Sequence, residues 1–258
     1  MNLFLMKLIL APLIIGSASL AGRKWGSAVS GWLVGMPLTT GPVVFFLALD
    51  HDAAFAGRAA LGVLSGGFSL VLYALAYAWI ARRFPWPVAI TGSLSLFAAN
   101  TLLMENLSFP LLPLFLGVTA AILLGLWAMP RETFVEKETA QPGPWDLPAR
   151  ILLSTGIILF LTGSAAWIGP RLTGLLATFP LYISILTTFA HHQQGPAAAA
   201  HVLRGLLFGM FAFAGFFITL GLLLPLDGIG GSFAAAVIVA LAIQGISLLI
   251  LKHRGAVA

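Results

Sequence analysis

The chain has 258 residues, of which 60% are hydrophobic and 8% charged, and its mean hydropathy is +1.03. A soluble globular domain carries about 25% charged residues, so this composition excludes a water-soluble fold and predicts a membrane protein. The absence of cysteine excludes disulfides, thiol catalysis and zinc–thiolate sites. The net charge of +5 comes from single cations and doublets scattered between apolar segments, which is typical of orienting loop charges and excludes a nucleic-acid surface.

Nine apolar windows follow one another along the chain, each close to the roughly 20 residues that cross a bilayer as a helix. They lie near residues 3–20, 29–49, 59–81, 86–106, 110–129, 151–168, 172–190, 202–225 and 230–251. The first window resembles a secretory signal, but Lys7 interrupts its apolar run and membrane sequence follows, so we expect a retained span. One hydrophilic stretch, 130–149, carries four of the eight acidic residues and predicts a solvated linker.

The distribution of basic residues predicts the orientation of these spans. If the N-terminus lies outside, ten of the thirteen Lys and Arg residues fall on the inner face. Inner loops of membrane proteins are enriched in Lys and Arg. We therefore expect nine spans with the N-terminus outside and the C-terminus inside.

A shift of 143 residues aligns the two halves of the chain without a gap. The phrases GWLVGMPLTT and GLLATFPLYI then coincide, and eleven of the 41 positions from 26 to 66 are identical, including aligned Gly and Pro. Five spans separate the starts of the two copies, and an odd number inverts the second copy in the membrane. The sequence therefore predicts an all-α polytopic membrane protein with two inverted four-helix repeats (1–108 and 148–258). A connector helix and linker (109–147) join them.

The second copy contains GLLATFPLYISILTTFAHH and then HVLRGLLFGMFAF. These phrases resemble the GlpM-like family of small four-span bacterial inner-membrane proteins over residues 148–225, and the first copy resembles the family more loosely. The resemblance implies a fused, inverted pair of such units in the inner membrane. It also implies genetic links to glycerol and exopolysaccharide metabolism, but supplies no activity or catalytic residue. Met36 stands where the second copy has Phe179, so a symmetric role for that position is not implied.

Two prolines interrupt the second span and one interrupts the seventh. Proline removes a backbone donor and breaks the helix, and non-helical backbone at membrane depth is tolerated where it is buried in protein or lines a cavity. A plain proline kink is the alternative. The predicted substrate-binding residues are Pro37, Thr39, Thr40 and Gly41 in the first copy and Pro180, Tyr182 and Ser184 in the second, with Asn100 and Gln244 at a comparable depth in spans 4 and 9.

Two GxxxG steps occupy aligned positions in spans 3 and 8, at Gly62 and Gly66 and at Gly205 and Gly209. Such steps let helix backbones approach closely, so we predict helix packing at these four glycines. Ionisable groups near span ends are candidates for proton coupling, and hydrated loop polarity is the alternative. They are Glu105, Asp50, His51, Asp52, His191 and His192, and their spacing predicts no metal site.

The chain contains no P-loop, G-x-S-x-G, H-E-x-x-H or Rossmann glycine motif. The sequence therefore predicts no enzyme activity and no cofactor. We expect a secondary transporter or flippase for a small polar or amphiphilic metabolite, with the lipid bilayer and that substrate as partners and a homodimer as an open alternative. A non-transporting scaffold or regulator of an envelope biosynthetic complex, and a passive channel, are the alternative functions.

Overall fold

The computed structural model describes residues 5–9, 12–13, 32–130 and 146–253, and all regular structure in these ranges is helical. Beyond short helical turns, the elements are α1 (Thr40–Asp50), α2 (Ala53–Ile80), α3 (Trp86–Glu105), α4 (Leu111–Ala128), α5 (Asp146–Ile168), α6 (Pro170–Ala177), α7 (Leu181–Gln194) and α8 (Pro196–His253). In this part of the chain six helical stretches are long and apolar enough to cross a membrane. The chain is therefore a multi-pass α-helical membrane protein.

Two helices begin earlier than the hydropathy windows predict. Helix α2 begins at Ala53 instead of residue 59, and α8 begins at Pro196 instead of residue 202. Asp52 caps α2 by accepting a hydrogen bond from the Phe55 backbone amide at 2.6 Å, and such a cap stabilises the first turn. Both first turns are rich in alanine, a strong helix former of modest hydropathy, so a hydropathy window undercounts them.

The predicted solvated linker is shorter than the sequence indicates. Helix α5 begins at Asp146, so residues 146–149 are helical, and an acidic residue at a helix start is favourable to the helix dipole. The rest of that linker from residue 131, and the first span with the start of the second, lie almost entirely outside the described residues.

Helix α2 and the first limb of α8, residues 196–227, form the centre of the bundle. In an apolar 18-residue window of α2, 72% of the residues are buried, against 22% in the corresponding windows of α3 and α4. The 52-residue α8 span is too long for one crossing and doubles back at Gly228, where the backbone φ is +67°. The second limb, 229–253, packs on the first. Gly215 of the first limb lies so close to Ile243 of the second that a Cβ at Gly215 would be 2.2 Å from the Ile243 side chain.

Side-chain contacts define two opposite ends of the bundle. At one end Arg171 donates hydrogen bonds to the Ser108 hydroxyl at 2.7 Å and to the Met104 carbonyl at 2.8 Å. The α2 start at Ala53 shares that end, because α2 and α3 run antiparallel. At the other end Trp79 donates to the Ala128 carbonyl at 3.0 Å.

The second end also contains the C-terminal end of α7. Arg204 donates to the Pro130 carbonyl at 2.9 Å, and the Trp86 ring lies 6.3 Å from that of His192. Exposed tryptophans occur at both ends, including Trp127 at this one and Trp167 at the other, as in the aromatic belts of membrane proteins. The end of α1 at Asp50 and the end of α7 at Gln194 therefore lie at opposite ends of the bundle.

Glycines mark two close helix crossings. A Cβ at Gly62 would lie 2.2 Å from the Arg171 carbonyl oxygen, and one at Gly66 would lie 2.3 Å from the Thr178 hydroxyl. A Cβ at Gly209 would lie 2.1 Å from the Trp32 carbonyl oxygen and 2.8 Å from the Gly35 Cα. Each central helix therefore contacts the chain just before a break belonging to the other half of the sequence. Gly205 is also buried.

Candidate binding cavity between two broken helices

The two proline phrases form breaks with the same backbone hydrogen bonds. At the first, Met36 donates to the Leu33 carbonyl at 3.1 Å and Leu38 donates to that of Met36 at 2.7 Å. The corresponding bonds of the second break, 143 residues later, are Phe179 to Leu176 at 3.0 Å and Leu181 to Phe179 at 2.8 Å. The helix resumes in both cases with a 2.9 Å bond onto the proline carbonyl, from Gly41 to Pro37 and from Ser184 to Pro180.

Each break leaves backbone carbonyls without the hydrogen bonds that an uninterrupted helix would give them. Different side chains donate to these carbonyls at the two breaks. The Gln244 side-chain amide donates to the Trp32 carbonyl at 3.0 Å, and the Trp32 indole donates to Ser247 at 2.7 Å. In the second break the Thr178 hydroxyl donates to the Leu175 carbonyl at 2.6 Å. Since a bilayer offers no hydrogen-bond partner, these side chains stabilise the broken ends.

A cavity of about 60 Å³ lies where the two breaks meet. Its walls combine residues from both breaks with residues from the two central helices. Six pairs of lining residues stand 143 positions apart: Val34 and Ala177, Gly35 and Thr178, Met36 and Phe179, Thr39 and Tyr182, Thr40 and Ile183, and Leu70 and Phe213. Pro180, Leu206 and Met210 complete the lining. The two halves therefore contribute equivalent positions to one central cavity.

The polar groups of the central cavity carry no charge. Thr39, Thr40, Thr178 and Tyr182 supply hydroxyls, and no charged side chain is among the described residues that line it. The Thr40 hydroxyl is buried and has no hydrogen-bond partner in the described part of the chain. A buried hydroxyl in this state favours a bound group that can donate or accept a hydrogen bond.

The predicted binding residues divide into a group at the cavity and a group away from it. Thr39, Thr40, Pro180 and Tyr182 line the cavity. Pro37 and Gly41 lie in the first break beside it, with the Phe216 ring 3.4 Å from a Cβ built at Gly41. Ser184 is one turn beyond Pro180. The remaining two predicted residues bond elsewhere: Asn100 donates to Ser69 at 3.0 Å, and Gln244 donates to Trp32.

The predicted acidic cluster at the end of α1 separates into three local contacts. Asp50 forms an ion pair with Lys7, whose ammonium also lies 5.7 Å from the centre of the Phe46 ring. His51 stacks on Phe55 with ring centroids 4.1 Å apart. Asp52 is the N-cap of α2. No group of three or more His, Asp or Glu residues able to hold a metal occurs among the described residues.

The other ionisable candidates lie at separate places. One carboxylate oxygen of Glu105 is buried without a partner in the described ranges, next to Met104, whose carbonyl binds Arg171. His191 is buried in the last turn of α7, with Nδ1 3.4 Å from the Tyr77 hydroxyl. His192 is exposed beside Trp86.

Sequence reasoning missed several residues of this region. Tyr73 and Tyr77 are fully buried on α2, and with Tyr182 they are the three tyrosines of the chain. The rarity of tyrosine in this apolar sequence is a signal that could have directed attention to these residues. Lys7 is a second such residue, because a cation inside an apolar run is typical of a residue that needs a buried partner.

Comparison of the chain with known protein families, with curated proteins and with solved structures returns no match.

Proposed function

We propose that this chain is a secondary transporter or flippase of the bacterial inner membrane, built from an inverted repeat. Its nine spans run with the N-terminus outside, and a small polar or amphiphilic metabolite binds between the halves. The matched hydrogen bonds at the two breaks support the repeat. The placement of equivalent helix ends at opposite ends of the bundle supports its inversion. In transporters of this type the substrate binds near the midplane at the repeat interface.

The observation that carries the proposal is the shared central cavity. Pairs of residues 143 positions apart line it, so it lies on the axis that would relate the two halves. Rocking of one half against the other about such an axis would expose the cavity first to one face and then to the other. Its uncharged hydroxyls favour a neutral hydroxyl-bearing or amide-bearing group of the substrate over a multivalent ion.

The size of the cavity requires a conformational change for transport. Its volume of about 60 Å³ is less than half that of the engineered ~150 Å³ cavity in another protein that holds benzene. A metabolite therefore enters only when the halves separate. The glycine crossings at Gly62, Gly66 and Gly209 place backbone directly against backbone or a short side chain, a contact with few interlocking side chains to disengage.

Proton coupling is the second part of the proposal. The Lys7–Asp50 pair and Glu105, one carboxylate oxygen of which is buried without a partner, are its candidates among the described residues, because ionisable groups inside a membrane are costly unless they have a function. The GlpM-like resemblance, with its links to glycerol and exopolysaccharide metabolism, stays a prediction and suggests which polyols and lipid-linked sugars to assay first.

The natural absence of cysteine makes the test direct. Thr40→Cys places one thiol in the central cavity, with lipid-facing Gly156→Cys as the matched control, since Gly156 has no neighbour within 4 Å. In sealed vesicles of either orientation, an impermeant thiol reagent should reach Thr40→Cys from each face, and a transported substrate should slow the reaction. Proteoliposomes containing the unmodified chain should take up or flip that substrate with saturation.

The alternative functions give different results in the same preparation. A scaffold needs no wet centre, so Thr40→Cys would resist the reagent from both faces. A passive channel would give flux without saturation or coupling. Access from only one face under every condition, together with no uptake of any candidate, would overturn the proposed transport cycle.

A further inference from the structure

A row of polar side chains leads away from the central cavity between α2 and α7. On α2, Tyr73 and Tyr77 follow the cavity residue Leu70 at helical spacing, so all three lie on one face. On α7 the row continues through Ser184, Thr187, Thr188 and His191, again on one face. We call these six residues, Tyr73, Tyr77, Ser184, Thr187, Thr188 and His191, the hydroxyl track. It runs from the cavity to the last turn of α7.

The tyrosines bridge the two helices. The Tyr73 hydroxyl lies beside those of Ser184 and Ser93. One turn further along, the Tyr77 hydroxyl lies beside Thr188 and 3.4 Å from the His191 Nδ1. The tyrosine hydroxyls therefore connect the polar groups of α7 to those of α2 from Ser184 as far as His191.

Most of these groups lack a well-formed hydrogen bond. The side-chain oxygens of Tyr73, Ser184, Thr187 and Thr188 are buried, and none forms a hydrogen bond of normal geometry with a described residue, although Ser184 faces Tyr73 and Thr188 faces Tyr77. Leaving one buried hydroxyl unsatisfied costs about 1–3 kcal/mol, and lipid supplies no partner. Four such groups in one row favour the entry of water as soon as α2 and α7 move apart, because a buried polar site holds water once it has the room.

The equivalent positions in the other half of the sequence are apolar. At an offset of 143 residues the hydroxyl track corresponds to Phe216, Leu220, Gly41, Val44, Phe45 and Ala48, which we call the apolar counterpart. The pair Tyr73 and Ser184 is replaced by Phe216 and Gly41, which are themselves in contact. The Phe233 ring packs edge-on against Phe45 at 5.1 Å and against Phe216 at 6.2 Å.

We propose that the hydroxyl track is an aqueous half-channel for water and small hydroxyl-bearing solutes, joining the central cavity to the membrane face at which α7 ends. The aromatic plug of Phe45, Phe216 and Phe233 closes the equivalent route to the opposite face. This inference rests on the proposed role of the central cavity and adds a direction to it. In the conformation described the track is closed to water, because Tyr73, Tyr77 and Thr187 are 0% exposed. It admits water and polar solutes from the His191 face when α2 and α7 move apart, whereas access from the other face requires the plug to separate.

A matched pair of cysteine variants tests the half-channel. Thr187 and Val44 are equivalent positions with side chains that are both 0% exposed, and the chain has no other thiol. In sealed vesicles, a small impermeant methanethiosulfonate reagent should modify Thr187→Cys from the His191 face at least about tenfold faster than it modifies Val44→Cys from either face, because only a hydrated thiol ionises and reacts readily. Equal and slow modification of both would overturn the half-channel.

A second pair of variants guards against a folding defect. Ser184→Cys is nearly isosteric, and its equivalent Gly41→Cys adds a Cβ at ordinary contact distance from Phe216. Every variant is checked by gel filtration in detergent and by complete modification after denaturation. In the Thr187→Cys background, Tyr73→Phe gives that position the apolar character of its counterpart and should slow modification severalfold. No change in rate would contradict a role for the tyrosine hydroxyl.

The outcomes separate this inference from the transport proposal. If Thr187→Cys reacts from one face while Thr40→Cys never becomes reachable from the other, the half-channel stands and alternating access fails. If Thr40→Cys is reachable from both faces while Thr187→Cys is inert, transport stands and the route lies elsewhere.

Discussion

At the scale of single residues, we expect the Lys7–Asp50 ion pair to have the largest effect on the free energy of unfolding. Both side chains are largely buried, at 9% and 20% exposure, and the Lys7 ammonium also faces the Phe46 ring. The attraction between two such charges compensates for the loss of their hydration only while both are present. Removal of either partner leaves one unpaired charge in an apolar environment.

We therefore predict that Asp50→Leu or Lys7→Met lowers the free energy of unfolding by about 3–5 kcal/mol, whereas the double variant Lys7→Met with Asp50→Leu recovers most of that loss. Equilibrium unfolding in mixed micelles measures both effects as a double-mutant cycle. Asp52→Asn is the matched control, because asparagine caps a helix about as well as aspartate. If the single variants are as stable as the control, the pair contributes nothing to stability.

At the scale of elements, the breaks were predictable and their partners were not. Pro37 and Pro180 predict a break in each helix because proline has no amide hydrogen to donate to the preceding turn, and this is a property of the residue itself. Thr39, Thr40 and Tyr182 followed as cavity residues from their positions beside the break. Thr178 and Leu70 did not, because their place depends on which helices cross.

Contacts between residues far apart in the sequence could not be predicted, because they depend on how the helices pack. The sequence predicts Asp50 as a coupling candidate, with hydrated loop polarity as the alternative, and does not reveal its ion pair. Its partner Lys7 lies 43 residues away, and no local pattern indicates that contact. Gln244 looked like a ligand for substrate because an amide in a span needs a partner. The structure supplies that partner through the Trp32 carbonyl, an atom made available by the first break.

The helix crossings give a second prediction, which concerns close backbone approach. A Cβ at Gly174 would lie 2.0 Å from the Ala59 carbonyl oxygen, and one at Gly209 would lie 2.1 Å from that of Trp32. Because the obstructing atoms are backbone, Gly174→Ala and Gly209→Ala must push the helices apart, and we expect each to cost about 1–3 kcal/mol or more. Thermal unfolding in detergent measures the loss.

The control for the crossings is a glycine in open space. Gly156 has no neighbour within 4 Å, so Gly156→Ala should raise helix stability by about 0.5–1 kcal/mol through propensity alone. A destabilisation of Gly156→Ala equal to that of Gly209→Ala would mean that alanine is generally unfavourable in these spans, and the crossing argument would fail.

The reversal of α8 gives the third prediction. Gly228 adopts φ +67° and ψ −174°, a region that side chains with a Cβ avoid at a cost of about 1–3 kcal/mol. Gly228→Ala should lower the unfolding temperature, whereas Gly230→Ala, two residues on and without a positive φ or a near neighbour, should change it little. An equal response of the two variants would place the reversal elsewhere in the 225–231 segment.

At the scale of the whole molecule, the two halves are similar in backbone and different in chemistry. The breaks have the same hydrogen bonds and contribute paired residues to one cavity. Beyond the cavity, however, one half has the hydroxyl track and the other has the apolar counterpart. A strictly symmetric pair would make both routes equally wet or equally dry. If the halves form the proposed inverted repeat, this difference in polarity would give the transporter a direction that a symmetric backbone alone would not.

The inverted arrangement gives the fourth prediction and the simplest experiment. His51 and Gln193 are exposed residues just beyond α1 and in the last turn of α7, the equivalent ends of the two broken spans. In an inverted repeat these ends face opposite sides of the membrane. The positive-inside bias predicts that His51 lies outside and Gln193 inside. In intact cells an impermeant thiol reagent should therefore modify His51→Cys, and it should modify Gln193→Cys only after the membrane is opened. Modification of both thiols from the same side would show that the halves run parallel, and alternating access by inverted repeats would then be excluded.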